Sequence, residues 1–188
     1  MFHMKQKEIN IKIFEELSKE PSHQRELARK IKTSQTQIRR KLKEFEENNI
    51  VDYKVKGKNT VYFIKKSIES KLYKRIIENE KLFLILIKNK KIRKIFKEIQ
   101  KNIEENKIKK DRIIVLFGSY AKEEETEKSD IDIYLDSNLN KEKELIENIS
   151  EIISIKTGKF HEKGLLEKEI IKNHIILNNV EGFLNIIE

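Results

Sequence analysis

The sequence predicts an α+β chain in two modules, a helical one closed by a β-hairpin and a second in which strands alternate with helices. Three observations predict it. Apolar residues recur at helical spacing as far as residue 49 and then switch to strand-like alternation. Charge is unevenly divided: residues 1–110 hold 31 Lys and Arg against 15 Asp and Glu, a net +16, while residues 111–188 hold 10 against 17, a net −7. Finally, an apolar run ends in Gly118-Ser119, and two aspartates one residue apart follow at Asp130 and Asp132.

The basic half opens with Ile9, Ile13, Phe14 and Leu17, a helical stripe that must end before Pro21. Ser22 is placed to cap a second, short helix through Leu27, Ala28 and Ile31. Ser34-Gln35-Thr36-Gln37 has the form of a capping box and opens a third helix carrying Ile38, Leu42 and Phe45. Asn48 and Asn49 suit its C-terminal end, where left-handed backbone is tolerated. Residues 50–55 and 60–64 then alternate like strands about Lys56-Gly57-Lys58-Asn59, a turn with hairpin chemistry.

Residues 67–110 read as a helical connector. Ile68, Leu72, Ile76 and Ile77 form one stripe, and Ile92, Ile95, Phe96, Ile99 and Ile103 another. Their polar faces are dense in lysine, and no Gly/Ser-rich tether interrupts them. Such a helix pair could also serve a homodimer.

The acidic half carries the chemistry. Ile113 to Phe117 is a continuous apolar run, suited to a strand buried on both faces. Gly118 permits positive φ or close approach of a ligand. Ser119 is placed to cap a short helix whose free N–H groups suit phosphates. Ile131, Ile133 and Leu135 alternate with Asp130, Asp132, Tyr134 and Asp136, so Asp130 and Asp132 share a strand face. Two adjacent carboxylates repel unless a cation lies between them, and hard oxygen donors beside a phosphate-sized gap suit Mg²⁺. The tail returns to helix with Leu145, Ile149, Ile152 and Ile153, then Leu165, Leu166, Ile170, Ile171, Ile175 and Ile176. Alone, a Gly-Ser turn or an Asp-x-Asp is common; together and in this order they are specific.

Gly118, Ser119, Asp130 and Asp132 resemble the signature of the minimal nucleotidyltransferases of the DNA polymerase beta superfamily, over residues 111–188. The resemblance implies a small mixed sheet, with Gly118 and Ser119 holding the β- and γ-phosphates of a nucleoside triphosphate. Asp130 and Asp132 would bind Mg²⁺ and act as the catalytic pair, moving a nucleoside monophosphate, AMP from ATP, to a hydroxyl. Where the family continues with arginine this chain has Lys122, a point charge without the bidentate fork. The family's third carboxylate lies on a later strand, for which Glu162 is the candidate metal ligand.

Three helices followed by a hairpin resemble the winged helix-turn-helix of archaeal and other prokaryotic transcription regulators, over residues 1–66. The resemblance places the third helix in the major groove of double-stranded DNA, presenting Gln35, Thr36, Gln37, Arg39, Arg40 and Lys43. Gln reads adenine and Arg guanine, while Lys43, Lys56 and Lys58 neutralise phosphates. The bland reading is a packing module whose charges are merely solvated.

Composition bounds the rest. The chain has no cysteine, which excludes a disulfide scaffold and fits a reducing cytoplasm. Its longest apolar run, Leu82 to Ile87, is too short to span a membrane. The four scattered histidines lack ligand spacing and receive no metal role. Two functions are expected of such a chain: a DNA-tethered nucleotidyltransferase acting on a protein, nucleic acid or small molecule, or a regulator whose transferase-like domain senses nucleotide or is a relic.

Overall fold

The computed structural model describes residues 2–57, 59–161 and 164–187. It divides into two units, Met1–Glu80 and Lys81–Glu188, with helix α4 (Ile68–Lys88) running through the boundary. The architecture is mixed α+β with two small sheets.

In the first unit, α1 (Phe2–Lys19), α2 (Gln24–Ile31) and α3 (Gln35–Glu47) surround a core of Ile13, Phe14, Leu17, Leu27, Ile38, Leu42 and Phe45. Burying each of these large side chains contributes about 1.5–3 kcal/mol. Tyr73 of α4 meets Phe14 and Phe45 edge-on, with ring centroids 5.5 and 5.1 Å away. Ser34 caps α3 as expected, accepting from the Gln37 N–H at 3.2 Å. The reciprocal arm differs: Gln37 Oε1 accepts from the Thr33 hydroxyl at 2.5 Å. Asn49 adopts the left-handed conformation after α3, at φ +60°.

Ser22 does not cap α2. The residue preceding that helix is His23, whose side chain makes no cap bond. Ser22 instead lies in β1 (Ser22–His23), paired with Tyr62, and its hydroxyl donates to Glu26 at 3.3 Å. A two-residue strand has no periodicity, so nothing in the sequence announces it. Strands β2 (Val51–Lys56) and β3 (Asn59–Ile64) pair antiparallel from Val51↔Ile64 to Lys56↔Asn59. That register leaves a two-residue loop with Gly57 at φ +61°, as such hairpins require. The sheet order is β1-β3-β2.

The connector breaks at Asn89, whose side chain accepts from the N–H groups of Lys91 and Ile92 at 3.0 and 3.1 Å. This starts α5 (Lys90–Glu104). Arg93 donates to the carbonyls of Leu86 and Ile87 at 2.6 and 3.0 Å, satisfying the end of α4. Ile92, Ile95, Ile99 and Ile103 are buried as predicted. On α4 the buried positions are Ser70, Ile77, Glu78, Leu84 and Ile85, whereas Ile68, Leu72 and Ile76 are exposed.

The second unit continues with β4 (Ile114–Phe117), α6 (Gly118–Ala121), β5 (Ile131–Leu135), α7 (Asn140–Glu147), β6 (Ile153–Thr157), α8 (Leu165–Lys172), β7 (Ile175–Asn178) and α9 (Val180–Ile187). The sheet is mixed, in order β6-β5-β4-β7, with β5 and β7 antiparallel to β4 and β6 parallel to β5. One face packs Leu116, Ile131, Ile133 and Leu135 against α5 and Ile146 of α7. The other packs Val115, Phe117, Tyr134 and Ile176 against Phe160, Ile170 of α8 and Phe183 of α9.

Two segments assigned to helix are strands. Ile153 opens β6, and Ile175 and Ile176 open β7. In both, β-branched residues spaced to suit a helix also suit a strand, and tertiary pairing decides. α7 ends at Glu147, and Ile153 and Ile155 then alternate with Ser154 and Lys156. Asn173, extended at φ −145°, stops α8 before β7.

Candidate functional site

The site is built where β4 and β5 lie side by side. Their register pairs Phe117 with Asp132. The chain leaves β4 through Gly118 at φ +70°, and a Cβ there would stand 2.1 Å from Asp132 Oδ2. The Asp132 carboxylate therefore rests on the bare Cα of Gly118. Glycine is required twice at this position, by backbone conformation and by room.

Asp130 is exposed immediately before β5, and Asp132 is half-buried within it. Burial raises the Asp132 carboxyl above its ordinary range, and the charge of Asp130 raises it further. The attraction of Lys156 and a hydrogen bond with Ser154 act in the opposite direction, while Glu169 adds a smaller upward push. A carboxylate pair in this state gains from a bound cation, and its hard oxygens suit Mg²⁺ arriving with phosphates.

Parallel pairing sets Ser154 opposite Asp132 and Lys156 opposite Tyr134. Both outward positions of β6 therefore share the face of Asp132, and neither is acidic. Glu162 lies outside the described residues. Among the described residues, no three His, Cys, Asp or Glu side chains are grouped to hold a metal.

Ser119 is not a helix cap. Helix α6 begins one residue earlier, at Gly118, with Phe117 in the capping position, so Ser119 sits half-buried within the turn. Lys122 is exposed at the end of α6, where its ammonium pairs with Glu169 Oε1 of α8 at 3.0 Å. Glu169 thus occupies the cation expected to meet phosphates. Glu169→Gln frees Lys122 and removes one charge that pushes up the Asp132 carboxyl. We expect triphosphate affinity to rise about threefold, the size of an exposed ion pair. Calorimetry measures the affinity, and carboxyl NMR should show Asp132 titrating lower.

On the first unit, Gln35, Thr36, Arg39 and Arg40 are exposed along α3. Gln37 is half-buried against Thr33, and Lys43 is exposed but within 3.6 Å of Glu47. Lys56 is the last residue of β2, and Lys58 lies outside the described residues. His174 is buried against Phe183, with Nδ1 donating to the carbonyls of Ile170 and Ile171 at 3.0 Å.

The sequence reading missed Ser154, Lys156 and Glu169. The signal for the first two was the alternation Ile153-Ser154-Ile155-Lys156, masked by a helical reading of the isoleucines. Nothing in spacing alone brings Glu169 to Lys122.

No helix among the described residues is long and apolar enough to cross a membrane. Comparison with curated proteins and with solved structures finds no match. A family model described as nucleotidyltransferase domain matches residues 89–183, half of the 188-residue chain. The matched stretch starts at the Asn89 cap, takes in α5 and the whole mixed sheet, and contains Gly118, Ser119, Asp130 and Asp132. The chain belongs to the nucleotidyltransferase domain family.

Proposed function

We propose that the second unit binds a Mg²⁺–nucleoside triphosphate, ATP in the first instance, at Gly118, Ser119, Asp130 and Asp132, and transfers its nucleoside monophosphate to a hydroxyl. The observation that carries this reading is the Asp132 carboxylate seated on Gly118, with Asp130 beside it. Nucleotidyltransferase domains generally use a nucleoside triphosphate with Mg²⁺. When bound, the ion offsets the negative charge of phosphates and of the departing pyrophosphate.

The chain's own groups do the rest. Gly118 lets the backbone approach the phosphates, Ser119 offers a hydroxyl donor, and Lys122 supplies a positive charge once released from Glu169. The acceptor hydroxyl gives its proton to solvent and its oxygen bonds to the α-phosphorus. The bond from that phosphorus to the bridging oxygen breaks, and pyrophosphate leaves. Proteins and nucleic acids are screened as acceptors with a nucleotide labelled on its α-phosphate. Labelled acceptor and pyrophosphate should appear in equal amounts. Binding without pyrophosphate from any acceptor favours the second reading, a nucleotide sensor, to which Ser154 and Lys156 on β6 lend support.

We further propose that the first unit is a winged helix-turn-helix that binds double-stranded DNA through α3. The exposed Arg39 and Arg40, with Gln35 and Thr36 on the same helix, support this reading. Arg39→Ala with Arg40→Ala should weaken duplex binding at least about tenfold and flatten its salt dependence. Fluorescence anisotropy over a salt series measures both. Nucleotide binding by the second unit should not change.

A further inference from the structure

The β6 strand carries an unassigned feature beside the carboxylates. Its register sets Ser154 against Asp132, whose carboxyl it acts to lower, and Lys156 against Tyr134 on the same face. Lys156 is exposed, and its charge acts on Asp132. Lys122, after Gly118-Ser119, is already paired with Glu169 at 3.0 Å. A two-cation clamp on a triphosphate needs carboxylate oxygens placed to serve both ions. Here the position flanking Asp132 is a neutral hydroxyl, and the next is an ammonium that repels a second dication.

Building on the nucleotide site proposed above, we propose that Lys156 contacts the triphosphate directly and takes the place of a second metal ion, so that the site holds one divalent cation per nucleotide. A lysine is suited to this as a compact point charge on a flexible stem, able to reach phosphate oxygens without fixed geometry. Ser154 complements it by facing Asp132 without adding charge. The specificity that follows is for a polyphosphate: a monophosphate would leave Lys156 without its partner.

The test is Mn²⁺ stoichiometry on the full chain, read by electron paramagnetic resonance with a non-hydrolysable ATP analogue held equimolar to protein. The wild type should bind one Mn²⁺ per bound analogue. Lys156→Ala should weaken the analogue about tenfold, the effect of losing one charge-assisted contact, and keep the count at one. Ser154→Asp with Lys156→Ala should raise it to two. Two Mn²⁺ ions per analogue in the wild type, or an unaltered affinity in Lys156→Ala, overturns the inference while leaving the nucleotide site standing. A count that stays at one in the double variant overturns the assignment of these two positions. Failure of the wild type to bind the analogue at all overturns the site itself.

Discussion

Asp130→Asn combined with Asp132→Asn abolishes Mg²⁺-dependent nucleotide binding and, in the absence of ligand, raises the melting temperature of the second unit at neutral pH. The two effects share one cause. Burial and the neighbouring Asp130 charge hold the Asp132 carboxyl above its ordinary value of 3.8. A carboxyl raised in the folded state contributes stability below its unfolded value, and that contribution is lost as pH rises through the folded value. At neutral pH the ionised Asp132 therefore works against folding, and a neutral amide removes the penalty. Thermal melts across acidic to neutral pH should show wild-type stability falling as Asp132 ionises and the double variant changing less. Mg²⁺ with nucleotide should restore stability to the wild type alone. Binding itself needs the ionised form, so acidification should weaken it at a higher pH than an ordinary aspartate would.

Gly118→Ala carries the second large effect. The residue stands at φ +70°, and the added Cβ would lie 2.1 Å from Asp132 Oδ2 and 3.0 Å from its Cγ. Backbone strain of the left-handed region costs about 1–2 kcal/mol. The clash adds to it, because the added Cβ meets the Asp132 side chain down to its Cβ, 3.2 Å away. We expect a stability loss of about 2–3 kcal/mol in denaturant titrations and a fall in nucleotide affinity of about a hundredfold or more, the scale of a displaced charged ligand. Gly57→Ala is the control. Gly57 has φ +61° but nothing within 4 Å of a Cβ, so it carries the strain without the clash. Equal damage to nucleotide binding by both variants would contradict the close packing of Asp132 on Gly118.

The parts of this site legible in the sequence are those set by local chemistry. An apolar run, a glycine free to adopt positive φ and an Asp-x-Asp at strand spacing each announce themselves within a few residues. The hairpin and the Ser34 cap were readable for the same reason. What escaped depends on distant pairing. Ile152 and Ile153 suit a helix as well as a strand, and only the ladder with β5 makes Ile153–Thr157 a strand. Read as helix, residues 153–157 offer no strand, and the next acidic residue downstream is Glu162. Ser22 and His23 form a strand only because β3 is there to receive them. Lys122 was identified from its position after Gly-Ser, but its pairing with Glu169 spans 47 residues and leaves no local trace.

Calorimetric titration of the full chain with ATP, GTP, CTP and UTP, with and without Mg²⁺, asks directly whether the Asp130–Asp132 pair serves a nucleotide. Saturable binding of a triphosphate is expected that requires Mg²⁺ and disappears when the metal is chelated. Absence of binding for all four nucleotides at every Mg²⁺ concentration would contradict the proposed nucleotide site, and would leave the Asp130–Asp132 pair without a nucleotide to serve.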